Sequence, residues 1–92
     1  MNLIDVIKAG MMDEADLLEY VTDNDVRIAI AVAEAPNVTP PILNIAAHDR
    51  NKEVRLAAVK NPNIDKITLQ YLKNDKEIEI AELANRKLEG NE

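Results

Sequence analysis

The chain has 92 residues, 47% of them apolar and 30% charged, with a formal net charge of −6. It contains no cysteine, which excludes disulfides, cysteine-held zinc and iron–sulfur clusters. No apolar run approaches the ~20 residues of a membrane span, and Met1 to Gly10 lack the basic flank of a secretory leader, so a cytoplasmic protein with no membrane partner is expected.

This length fits a single domain over 1–92, which buries roughly 60–65% of the surface its unfolded chain exposes. The apolar content is almost wholly Ala, Ile, Leu and Val, with no Phe or Trp and only Tyr20 and Tyr71 as aromatic hydroxyls. Such a core suits closely packed helices better than a β-sandwich.

In chain order, a helix over about 2–9 opens at Asn2, carries Leu3, Ile4, Val6 and Ile7, and stops at Gly10. Asp13 caps a second helix over about 13–21, rich in early acids that suit the positive end of a helix dipole. The next segment, 26–35, reads VRIAIAVAEA and alternates as a strand would. The repeat described below resolves it as a helix, apolar nearly all round and therefore buried mid-stack. Thr39 caps a helix over about 40–47, with Pro40 at its first position and Pro41 leaving room for a short or 3₁₀ first turn. Helices follow over about 52–60 and 65–73, the latter capped by Asp65. The last, over about 77–88, turns Glu79, Glu82, Arg86 and Lys87 outward, as a terminal cap of a helical stack would.

These elements repeat. Asp23, Asp49 and Asp75 stand 26 residues apart (49 − 23 = 75 − 49 = 26), as do Leu17, Leu43 and Leu69. The caps Asp13, Thr39 and Asp65 and the breakers Gly10, Pro36 and Pro62 keep the same step. An apolar residue precedes each cap (Met12, Val38, Ile64), and a Leu follows four positions later, the hydrophobic-staple pattern. The prediction is an all-α, right-handed α–α superhelix, a solenoid of about three and a half 26-residue helix pairs with seven helices.

Leu43, Ala46, Ala47, Asp49, Val54, Arg55, Val59, Asn61 and Pro62 together resemble the leucine-rich repeat variant pattern, LxxLAxD followed by VR and NP. Leu69, Leu72 and Asp75 repeat its first part, and Leu17, Tyr20 and Asp23 do so more loosely. The resemblance implies a right-handed superhelix of paired α and short 3₁₀-like helices, similar to HEAT and armadillo stacks; the expectation of a non-enzymatic protein-interaction module rests on the repeat period and on the missing catalytic set. The resemblance brings no cofactor to a chain without cysteine.

Residues 1–25 carry seven acids and one base, which is −6, whereas residues 26–92 carry ten of each. Such a chain repels phosphate backbones, so a nucleic-acid-associated repeat is the disfavoured alternative. The acidic end suits a basic protein partner; otherwise it is a solvated face. A homo-oligomer joined through the end helices is a further alternative.

No catalytic set is evident. His48 adjoins Asp49, but the chain has no Ser, no Cys and no second His, so His48 reads as a surface residue at a helix C-terminus. Asp13, Glu14 and Asp16 form an acidic first turn with no phosphate loop to accompany them. The repeated aspartates are expected to close turns, and Arg55 to pair with a neighbouring carboxylate. No enzyme activity, metal or cofactor is expected. The expected partner-binding face lies on the second helix of each pair, where Asp16, Ile42 and Thr68 stack in one column and Glu19, Ile45 and Tyr71 in another. Ile42 and Ile45 equally suit the core.

Overall fold

Every expected helix is present in the computed structural model, which describes residues 1–90; the last two positions of the expected 1–92 domain lie outside the described residues. The helices are α1 (Leu3–Lys8), α2 (Glu14–Tyr20), α3 (Val26–Glu34), α4 (Pro40–Ala47), α5 (Lys52–Lys60), α6 (Lys66–Leu72) and α7 (Ile78–Leu88). No strand occurs among the described residues, and the alternating VRIAIAVAE segment is helix α3. The 3₁₀ character that the resemblance implied is absent from α2, α4 and α6, which are α-helical. Pro40 and Pro41 fall within the first turn of α4, where the missing N–H groups have no intrahelical partner to lose.

The caps explain where the helices begin. The side chains of Asn2, Asp13 and Asp65 accept the backbone N–H groups of Asp5, Asp16 and Thr68 at 2.9, 2.9 and 3.0 Å. Thr39 makes no such bond; its hydroxyl instead donates to Glu14 Oε2 at 3.0 Å, tying α4 to α2. Asp23, Asp49 and Asp75 each accept the N–H two residues ahead, at 2.8, 2.8 and 2.9 Å. These are Asx turns, and the residues so held, Asp25, Asn51 and Glu77, are the N-caps of α3, α5 and α7. Gly10 ends α1 at φ +77°, and a Cβ there would meet Pro36 Cγ at 3.0 Å, so the turn demands glycine twice over.

Helix α3 packs against α1 and α5, and α5 packs in turn against α7. Alongside that row, α2 leans on α3, α4 on α5 and α3, and α6 on α7 and α4. Two apolar clusters result. The larger gathers Ile7, Leu17, Val32, Leu43 and Val54, and the smaller gathers Val59, Leu69, Leu72, Ile80 and Ala84. Ile64 packs against both.

Asparagine amides cross from turn to turn. Asn37 Nδ2 donates to the Met12 carbonyl at 2.6 Å, and Asn63 Nδ2 to the Val38 carbonyl at 2.9 Å. The second bond lies one 26-residue step after the first (63 − 37 = 38 − 12 = 26). Buried Asn61 donates to the carbonyls of Ala33 and Ala35 at 2.8 and 3.1 Å, and its Oδ1 accepts the Asn63 N–H. Among the described residues no buried side-chain nitrogen or oxygen lacks a partner. Of the four residues expected on the outer face of α7, Lys87 turns back, its ammonium donating to the Asn61 carbonyl at 3.3 Å.

Candidate functional site

Three contacts set α2, α4 and α6 side by side: Thr39 to Glu14, Asn44 Nδ2 to Thr68 Oγ1 at 3.0 Å, and the stacked rings of His48 and Tyr71. Each of these helices turns one line of side chains outward at spacing i, i+4, i+7. The lines are Ala15, Glu19 and Thr22; Pro41, Ile45 and His48; and Ile67, Tyr71 and Asn74, all of them exposed.

This placement corrects part of the expected face. Ile42 and Thr68 are 2% and 0% exposed and cannot touch a partner. Ile42 joins Leu43 and Ala46 in the larger core cluster, and the Thr68 hydroxyl is closed off by Asn44. Ile45 and Tyr71, at 37% and 48%, do face outward, as do Asp16 and Glu19. The column expected through positions 16, 42 and 68 is thus replaced by one through 15, 41 and 67, where Ile67 is 77% exposed. Sequence reasoning passed over Ile67 and Pro41. The signal available was the i, i+4, i+7 spacing to Tyr71 and Ile45 together with the burial of Leu43 and Leu69, which fixes the opposite side.

The aromatic end of this face borders a cleft of about 500 Å³ lined by His48, Asp49, Arg55, Tyr71, Asn74, Asp75 and Lys76. A second cleft of about 490 Å³, between the turn at Asp23 and the turn at Asp49, shares His48 and Asp49 with it. The rings of His48 and Tyr71 lie 3.9 Å apart at an interplanar angle of 15°, offset or parallel stacking of the kind that adds to area burial. His48 Nδ1 is 2.8 Å from the Asn44 carbonyl. A carbonyl only accepts, so Nδ1 holds the proton and the lone pair of the neutral ring is on Nε2. His48 is the C-cap of α4 and exposed, at the helix end expected for it.

At the back of the cleft Arg55 and Asp75 form a bidentate pair, Nε to Oδ2 at 2.8 Å and Nη2 to Oδ1 at 3.2 Å, with side chains 7% and 6% exposed. Arg55 Nη1 also donates to the carbonyls of Asp49 and Arg50 at 2.9 and 3.0 Å. The partner expected for Arg55 is therefore the aspartate of the following turn. Burial pushes the Asp75 carboxyl up, but the Arg55 guanidinium and the Glu77 N–H outweigh it and hold the group below the usual carboxylate range. The same pairing raises the Arg55 guanidinium. Arg27, which follows Val26 as Arg55 follows Val54 but 28 rather than 26 residues earlier (55 − 27 = 28), makes an exposed local pair with Asp25.

At the opposite end of the face, Asp16 is shifted upward by the neighbouring Asp13 carboxylate first, with Glu19 adding to it. Among the described residues no group of three or more His, Cys, Asp or Glu is arranged to hold a metal ion, and no helix is long and apolar enough to cross a membrane. Compared with protein-family models, curated proteins and solved structures, the chain finds no match.

Proposed function

We propose that this chain is a non-enzymatic protein-interaction module: a right-handed superhelix of 26-residue helix pairs, of leucine-rich-variant or HEAT type, that presents the outer line of its second helices to a partner protein. The observation that carries this reading is the outward band of Ile45, Tyr71 and Ile67, exposed on α4 and α6, which side-chain contacts seat side by side. Aliphatic and aromatic side chains gathered in one patch gain most when a partner covers them. The repeated Asn37–Met12 and Asn63–Val38 bonds support the superhelical arrangement, because the same turn-to-turn contact recurs one unit later.

The test is affinity capture on the immobilised full chain from extract of its native cell, run beside an Ile45→Asp/Tyr71→Asp variant whose helicity is checked by circular dichroism. A protein held by the native chain and lost from the folded variant supports the reading. The same proteins on both surfaces would overturn it.

A further inference from the structure

The exposed charges carried by the three second helices differ in a fixed order, on and beside the outward lines. Helix α2 (EADLLEY) carries Glu14, Asp16 and Glu19 and no base. Helix α4 (PPILNIAA) carries no ionised side chain at all. Helix α6 (KITLQYL) carries Lys66 and no acid, and Lys73 follows as its C-cap. All five of these charged residues are exposed. The face therefore runs from acidic, through aliphatic at Pro41 and Ile45, to basic and aromatic at Lys66, Tyr71 and Lys73.

We infer that the partner of this face is a segment with segregated charge, basic at one end, apolar in the middle and acidic at the other, lying across α2, α4 and α6 in one direction. This rests on the interaction-module reading above and names the class of partner. Charge complementarity sets the order of charge that the occupant must carry. A uniformly basic segment would place cations against Lys66 and Lys73, and a uniformly acidic one would meet Glu14, Asp16 and Glu19. A second copy turned antiparallel would also set acids against bases, and a free chain that sediments as a dimer at the assay concentration would overturn the inference. On α2 the Asp13 and Glu19 carboxylates already disfavour ionisation of Asp16, a repulsion that a partner cation relieves. Neighbouring helices pack ~8–10 Å apart, so three of them span ~20 Å, the length of a helical segment of ~14 residues.

The probes are two synthetic peptides of about 16 residues, long enough to cross that span, identical in composition and zero in net charge. One has a glutamate block, a leucine–alanine block and a lysine block, the order that suits its own helix dipole. The other alternates the same lysines and glutamates. Because neither is net cationic, the overall acidity of the chain favours neither. Binding is read by fluorescence anisotropy at low salt. The block peptide is expected to bind at least ~10-fold more tightly than the alternating one, a difference of ~1.4 kcal/mol. Asp16→Lys/Glu19→Lys should abolish that preference, whereas Glu79→Lys/Glu82→Lys, on the exposed face of α7, should leave it intact. Equal affinities for the two peptides, or equal loss from both double variants, overturns the inference. If capture from extract still depends on Ile45 and Tyr71 while the block peptide has no advantage, only the partner class falls. If capture does not depend on them, the interaction face itself is wrong.

Discussion

Asp23, Asp49 and Asp75 occupy the same place in successive turns and make the same bond to the N–H two residues ahead, yet they differ in what else depends on them. Only Asp75 also holds a buried guanidinium through its carboxylate. Asp49→Ala removes a turn acceptor and should cost about 1 kcal/mol, whereas Asp75→Ala strands the Arg55 charge and should cost about 3 kcal/mol or more, both read from urea denaturation. Replacing the pair together, as Arg55→Met/Asp75→Leu, should restore stability to within about 1 kcal/mol of the native chain; a double variant as weak as the single would mean the pair is not the source of the loss. The folded-state pKa of Asp75 lies below its unfolded value, which is ~3.9. Its stabilisation is therefore complete above ~pH 4 and fades as pH falls through the lower, folded value. Native protein should lose stability over that acid window more steeply than the double variant. That Arg55 pairs with a carboxylate was legible in the sequence, but not which one, because a contact spanning 20 residues follows no helical or repeat period. The stack of His48 on Tyr71 was invisible for the same reason: its two rings belong to different helices.

For the helices, the 26-residue step was enough to place all seven, because caps, breakers and apolar positions repeat together and each is a local requirement. What it could not decide was the rotation of a helix about its own axis where two chemically alike residues compete for the core. Ile42 and Ile45 are such a pair on α4, one buried and one facing out. Ile42→Ala should destabilise by about 2–5 kcal/mol through lost burial and the cavity left behind. Ile45→Ala should fall within about 0.5 kcal/mol of native, as surface changes do. Comparable losses at both sites would mean that α4 sits about its axis differently from the structure described. Asn44 settles the orientation physically, since its amide must reach Thr68 while Leu43 stays inside.

Across the whole molecule, apolar burial is uneven. The cluster around α1 to α5 is more than twice as populous as the one shared by α4, α5, α6 and α7, and Ile64 packs against both. Regions with fewer buried apolar contacts open at lower free energy, so amides of α6 and α7 should exchange with solvent through partial openings that leave α3 protected. Native-state hydrogen exchange measures this directly. If α7 amides match those of α3 in opening free energy, unfolding is a single event and the uneven core has no energetic expression. The asparagine bonds between turns bear on a different property. Asn61 and Asn63 grip the carbonyls of Ala33, Ala35, Pro36 and Val38, and a carbonyl is present whichever side chain accompanies it. The accepting half of each turn-to-turn bond is thus a group that substitution does not remove, and only the asparagines must be kept. Outer-line positions of α2, α4 and α6 that make no contact between helices, such as Ala15, Pro41 and Ile67, can therefore vary without disturbing how the turns are stacked.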